Sequence, residues 1–247
     1  MALTSPVLSF MATRSTAATD VDLVLFLKAP RNAKRRLAAE IGELATDVAA
    51  LLWGCALGDM QDWRGPGWFS PAEPRDEAWL VSQLGRTPRM IPQRGANLGE
   101  RINHVDQDLR SRGSVKIMFI GTDCPGMNSE YLGRAAASLD EYDAVLGPSR
   151  DGGVVLMGAR RAWPELGDLA WSTDRLHDEL SAVCMKLGWT VARLDVRSDI
   201  DTVSDLLAAR DELANDARPA RRDLTEWIIG QADALMTGMS GASSKRL

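Results

Sequence analysis

The run Ile117-Met-Phe-Ile-Gly-Thr-Asp-Cys-Pro-Gly-Met127 ends an apolar stretch in a turn that Pro125 and Gly126 force. One carboxylate, Asp123, sits on that turn. An acid just past a buried strand suits a divalent cation, because Mg²⁺ takes one or two carboxylates together with phosphate oxygens. Two later acidic turns, Arg150-Asp-Gly-Gly153 and Asp199-Ile-Asp-Thr202, offer further ligands. Upstream, Lys28-Ala-Pro-Arg-Asn-Ala-Lys-Arg-Arg-Leu37 places five cations, Lys28, Arg31, Lys34, Arg35 and Arg36, in nine positions. Arg offers a planar fork of donors and Lys a mobile point charge, so such a loop suits a diphosphate or triphosphate. It lacks the Gly-x-x-x-x-Gly-Lys spacing of a P-loop.

Two further runs could bind ligand. Gln93-Arg-Gly-Ala-Asn-Leu-Gly-Glu-Arg101 opens a helix between Gly95 and Gly99, where backbone N–H groups can meet an anion. Trp171-Ser172-Thr173 sets an aromatic beside two hydroxyls, a pattern for a sugar or a base. Each run also has a plain structural alternative. Asp123 can be a turn aspartate, Asp151-Gly152-Gly153 a β-turn, residues 93–101 a helix cap, and Trp171 a core residue. Thr202 with Asp205 fits a capping box, which leaves Asp199 and Asp201 free to face a metal. Cys124 can be a reactive thiol or a small filler in the turn.

The elements that must hold these residues alternate. Strands are expected at 22–28, 115–120, 143–147, 154–158 and 190–194, with a short one at 77–83. Helices are expected at 40–63, 97–112, from a Ser129 cap to Leu139, at 174–187, 202–213 and 225–236. Residues 64–76 read as a Gly-, Pro- and Trp-rich loop. The alternation predicts a mainly parallel sheet. The strand at 154–158 follows its predecessor too closely for a helical crossover, so the sheet should be mixed. One domain is expected over 21–214, after a disordered leader at 1–20 and before a C-terminal helix and flexible tail at 215–247. Ligands of open α/β sheets bind at the carboxyl ends of the strands, where the acids fall.

Composition is that of a globular protein: 45% apolar, 26% charged, net charge −5. The charge argues against nucleic acid as a partner, and no apolar run reaches the roughly 20 residues of a membrane span. The three cysteines, Cys55, Cys124 and Cys184, are widely spaced and there are two histidines, which argues against zinc. Reduced thiols and a cytoplasmic location are expected.

The order of these runs resembles the nucleotide-diphospho-sugar transferase (GT-A type) fold. Within it the chain looks most like the bacterial radical-SAM-associated, or arsenosugar-biosynthesis-type, glycosyltransferase family. The residues that carry the likeness are Phe26-Leu-Lys-Ala-Pro30, Lys34 to Leu37, Gln93 to Arg101, Ile120 to Gly126, Val145-Leu-Gly-Pro-Ser-Arg-Asp-Gly-Gly153, Trp171 to Thr173 and Asp199 to Thr202. There are two departures. The basic loop is shorter than that family's and is similar in spacing to the 2-phospholactate guanylyltransferases. Val154 also stands where the family usually has Tyr.

The resemblance implies a single-domain GT-A-like α/β fold with helices flanking a mixed, mainly parallel sheet. It implies a transferase dependent on Mg²⁺ or Mn²⁺, with Asp123 and Asp201 as metal ligands and Asp123 and Lys34 in the chemistry. Lys28, Arg31, Lys34, Arg36, Gln93 and Gly95 would bind the nucleotide. Asp151, Gly152, Gly153, Trp171, Ser172 and Thr173 would face substrate. Glycosyl transfer from a nucleotide sugar to a small-molecule acceptor is the leading expectation. Nucleotidyl transfer to a phosphorylated acceptor, and nucleotide binding without catalysis, are the alternatives. The C-terminal helix is a candidate homodimer surface.

Overall fold

The computed structural model describes residues 19–232 and Leu235. Six strands form one sheet in the order β2-β1-β3-β5-β4-β6. They are β1 (Val21–Leu27), β2 (Gly67–Pro71), β3 (Lys116–Ile120), β4 (Ala144–Pro148), β5 (Val154–Ala159) and β6 (Val191–Arg193). All pairings are parallel except those of β5, which runs antiparallel to β3 and to β4. The short 149–153 turn between β4 and β5 dictates this, since it is too short to cross over. The expected mixed, mainly parallel sheet is present.

Strands β1 and β3 are apolar on both faces because helices cover both. Met118 and Ile120 face a cluster with Trp53, Leu80, Tyr131, Leu132 and Leu139. Ile117 and Phe119 face Ile102, Val105, Leu109, Leu176 and Leu180. The helices involved are α2 (Leu44–Asp62), α3 (Pro74–Leu84), α4 (Leu98–Ser111), α5 (Ser129–Glu141) and α6 (Leu176–Lys186). A third cluster joins α1 (Arg35–Ile41) and α2 to α7 (Val203–Glu212) and α8 (Pro219–Gly230) through Leu37, Leu52, Leu206, Leu224 and Ile228. Burying each such side chain contributes about 1.5–3 kcal/mol. No helix among the described residues is long and apolar enough to cross a membrane.

Five expectations need correction. Residues 77–83 are helical, within α3, because Pro74 opens a helix whose first turn carries Asp76 and Glu77. The run Ala78-Trp-Leu-Val81 hides the helical period, and only Asp76 and Leu80 of α3 are fully buried. The expected loop at 64–76 contains β2, an edge strand on which Pro71 is tolerated at the end. The helix expected over 40–63 is two helices, parted at Gly42 with φ +61°. Asn128, rather than Ser129, caps α5 by accepting from the Tyr131 N–H at 2.8 Å. Helix α8 begins at Pro219, six positions before the expected start. Its expected end at Met236, the expected leader and the expected flexible tail lie outside the described residues, apart from the last two positions of that leader.

Helix α8 supplies a buried anchor. The Arg221 side chain is 1% exposed. It donates to the Pro125 carbonyl at 3.0 Å and the Met127 carbonyl at 3.1 Å, and pairs with Asp59 of α2 at 2.5 Å. Arg218 adds a bond to Asp59 at 3.0 Å and one to the Met127 carbonyl at 2.8 Å. Burial pushes the Asp59 carboxyl up to about 6, and the two guanidiniums hold it down against that rise. Removing one partner of a buried pair leaves an uncompensated charge. Asp59→Asn is therefore expected to lower stability by about 3–5 kcal/mol in urea denaturation. A loss under about 1 kcal/mol would mean that the carbonyls alone satisfy Arg221.

Candidate functional site

Four loops at one edge of the sheet meet: those after β1, after β3, between β4 and β5, and after β6. The loop after β1 passes through a single helical turn at Pro30–Asn32 to Lys34. Asp76, fully buried in α3, fixes it by accepting the Ala29 N–H at 3.0 Å and the Asn32 amide at 3.1 Å. Lys34 then adopts the left-handed conformation, φ 55° and ψ 43°. For a side chain of that size this costs about 1–2 kcal/mol and persists where the surroundings over-determine it.

Those surroundings are acidic. The Lys34 side chain is 3% exposed, and its Nζ lies 2.9 Å from Asp123 Oδ1 and 3.4 Å from Asp201 Oδ1. It also donates to the Ile200 carbonyl. Arg36 reaches the other Asp201 oxygen at 3.1 Å. The backbone closes the same unit, with Ile200 N–H donating to the Asp123 carbonyl at 3.0 Å. The expected capping box is present: Thr202 accepts from Asp205 N–H while Asp205 accepts from Thr202 N–H. That box leaves Asp199 and Asp201 facing the loops.

Asp151, Asp199 and Asp201 each bring an oxygen within 4.8 Å of the others. Asp151 is held by the Ser149 hydroxyl and, at 3.0 Å, by the Gly153 N–H. Gly152 has φ +86°, and a Cβ there would lie 2.0 Å from the Asp174 carbonyl, so only glycine fits. Burial first, then the charge of Asp151, pushes the Asp199 carboxyl up to about 6. Two of the four carboxylates, Asp123 and Asp201, are thus bonded to cations, Lys34 and Arg36, and Asp151 and Asp199 lie beside Asp201.

Beside the acids lies an apolar cleft of about 190 Å³ between the sheet, the start of α4 and residues 171–176. Trp171 forms part of its wall, with its indole N–H donated to the Leu166 carbonyl at 2.8 Å. Ser172 is the other non-glycine residue of positive φ among the described residues, at 65°. The Thr173 hydroxyl donates to the Ala170 carbonyl.

The structure therefore gathers Lys34, Arg36, Asp123, Asp151, Gly152, Gly153 and Asp201, and Trp171 lines the same cleft as Asp123 and Asp199. Lys28 and Arg31 are exposed on the same loop and enter no ion pair among the described residues. Gln93 donates to the Ser70 carbonyl at 2.7 Å along the β2 edge. At Gly95 the helix start is closed on itself: Asn97 accepts from Glu100 N–H and Glu100 accepts from Ala96 N–H. The Cys124 thiol is buried and pushed up to about 12, so it is the filler rather than a nucleophile. Sequence reasoning missed Asp76 and Arg221. Pro74-Arg-Asp-Glu77 was a readable helix start, but nothing local marks Arg221 in the basic stretch at 215–222.

A family described as an uncharacterized protein conserved in bacteria, DUF2064, matches residues 58–173. No curated protein sequence matches the chain. Among solved structures, a protein from Desulfovibrio desulfuricans G20 described as a nucleotide-diphospho-sugar transferase superposes with a TM-score of 0.77 at 22% identity, covering 89% of this chain and 98% of that one. A cytidylyltransferase from Leptospira borgpetersenii gives a TM-score of 0.54 at 13% identity over 88% of this chain and 97% of its own. A nucleotidyl transferase from Methanothermobacter gives 0.54 at 15% identity over 78% and 97%. The chain has the nucleotide-diphospho-sugar transferase fold.

Asp199 supplies a direct test of the crowding. Its folded pKa lies above the ordinary 3.8, so the folded state binds the proton more tightly. Stability then falls as pH rises from about 4 to about 6 and stays reduced above. Asp199→Asn is expected to raise the melting temperature at pH 8 without added metal and to change little at pH 4. A lower melting temperature at pH 8 would contradict this.

Proposed function

We propose that this protein is a transferase that uses a nucleotide-activated donor and a divalent cation, and that it moves a glycosyl group to a small-molecule acceptor. The observation that carries the reading is the bonding of Lys34 to Asp123 and Asp201. One buried cation and a row of acids stand together at the strand ends, where phosphate, metal and acceptor can meet.

The residues fit a hard cation. The donors are carboxylate oxygens, the nearby Cys124 is a buried protonated thiol, and three of the carboxylates already approach within 4.8 Å. Oxygen-only donors suit Mg²⁺ or Mn²⁺. Asp123 and Asp201 would hold the ion, with Asp199 and Asp151 beside them. Bound there, it would neutralise charge developing on the departing diphosphate.

The remaining roles belong to the chain. Lys34 and Arg36 lie on the acids' cationic side and bind phosphate oxygens, with Lys28 and Arg31 farther along the loop. Lys34 is held in place beforehand by Asp123 and the Ile200 carbonyl, so it needs little ordering when donor arrives. Asp151 is fixed by Ser149 and Gly153, and it accepts a hydrogen bond from the acceptor. Trp171 and the Ser172-Thr173 turn close the other side, while Gln93 and Gly95 flank the base end of the donor. The motifs shared with the radical-SAM-associated glycosyltransferases support glycosyl transfer. The short basic loop supports nucleotidyl transfer as the second reading. In that case a phosphorylated acceptor attacks the α-phosphate of a nucleoside triphosphate and pyrophosphate leaves.

Thermal shift against nucleoside triphosphates and UDP-, GDP- and dTDP-sugars, with and without Mg²⁺ or Mn²⁺, tests this. A ligand at about 100 times its Kd adds about 2.7 kcal/mol. One nucleotide sugar is expected to stabilise the protein only with metal. Lys34→Ala should weaken that binding about 10–100-fold, the scale of a lost hydrogen bond to a charged group. Asp123→Asn should abolish the metal requirement's benefit while leaving the fold intact. Stabilisation by a triphosphate alone would select nucleotidyl transfer. No response to any of these ligands would contradict both readings.

A further inference from the structure

The 190 Å³ cleft has walls of one character. Phe26 and Phe119 meet edge to face, with centroids 5.7 Å apart and planes at 80°, and Leu98, Val154, Trp171 and Leu176 are among the other apolar lining residues. The Trp171 N–H is already donated to Leu166, so its ring offers only an apolar body. The charged groups among the lining residues are Asp123 and Asp199. Lys34 bonds Asp123 and Asp201, and Arg36 bonds Asp201, but neither cation lines the cleft. The carboxylate row therefore divides two environments, one cationic and one apolar with acids at its border.

The walls are set in place. A Cβ at Gly99 would lie 2.1 Å from the Leu166 carbonyl, so the start of α4 packs directly on the 166–171 segment. The 149–153 turn is packed on Asp174 in the same way through Gly152. A cavity that is apolar and preformed takes an apolar ligand group rather than water, and about 150 Å³ holds a benzene ring. An anion entering here would lose its hydration beside two carboxylates, and no Lys, Arg or His side chain lines the cleft to meet it.

We infer that the cleft binds the acceptor, and that this acceptor is a neutral or cationic molecule carrying one ring-sized apolar group, with its hydroxyl or amine turned toward the acidic border of the cleft. The inference rests on the transferase reading for the word acceptor, but the cleft's ligand chemistry can be tested without it. It also separates the two transfer reactions, because a phosphorylated acceptor does not fit this wall.

The experiment uses the full chain at pH 8 and saturation-transfer NMR with three probes: 2-phenylethanol, 2-phenylethylamine and 3-phenylpropionate. The alcohol and the amine are expected to bind, and the carboxylate to bind at least about tenfold more weakly. Val154→Trp, which fills the cleft, should abolish binding of both while keeping the native circular-dichroism spectrum. Leu98→Trp, at a residue 40% exposed, repeats the test if Val154→Trp does not fold. Equal binding of the carboxylate, no binding of the alcohol and amine, or unchanged binding in a folded filled variant would overturn the inference. The nucleotide panel reads the other proposal separately. Probe binding without nucleotide binding sinks the transferase reading and keeps the cleft's chemistry, and the reverse result does the opposite.

Discussion

Like charge crowded at the ends of the strands is the constraint to which the rest of this molecule answers. Asp123, Asp151, Asp199 and Asp201 arrive from three loops, and like charges brought together repel. Burial and mutual repulsion hold Asp199 up to about 6, well above an ordinary aspartate. Such crowding persists because the fold supplies compensation elsewhere. Lys34 is the nearest source, and it reaches the acids only by taking a left-handed backbone that few side chains adopt. A strained residue bonded to a repelling cluster is the arrangement expected where binding, rather than stability, has set the sequence.

The supports for that cluster lie one layer away. Asp76 fixes the loop that carries Lys34, through the Ala29 N–H and the Asn32 amide. Arg221 fixes the turn that carries Asp123, through the Pro125 and Met127 carbonyls. Glu40 of α1 accepts the Val203 N–H at 2.9 Å and so ties the start of α7, behind Asp201, to the helix that follows Lys34. The stretch after residue 215 is thus a brace for the site through α8. On its other side the site opens into an apolar cleft, so a single row of acids borders two different chemistries.

Much of this was legible in the sequence. Strands β1 and β3 were readable because they are buried on both faces and show unbroken apolar runs. Asn97 and the Thr202–Asp205 box were readable because caps are local chemistry. The acids were readable because each lies in a turn that follows a strand, Asp123 and Asp151 directly and Asp199 and Asp201 just before a capped helix. Strand β2 and helix α3 were not, since Gly67-Trp-Phe-Ser-Pro71 is a partly exposed edge strand and Ala78 to Val81 masks the helical period. Asp76 and Arg221 act across 47 and about 95 positions of sequence, so their roles are set by tertiary contacts that no local pattern encodes. That Asp199 joins Asp151 and Asp201 in one group was likewise a fact of loop convergence.

The most direct test of the central claim is a crystal structure of the protein with Mn²⁺ and a nucleoside diphosphate, with anomalous scattering used to place the metal. The account predicts an anomalous peak among Asp123, Asp199 and Asp201, with the diphosphate on the side of Lys34 and Arg36 and the apolar cleft free of phosphate. A peak away from these carboxylates, or a phosphate seated in the cleft, would contradict it.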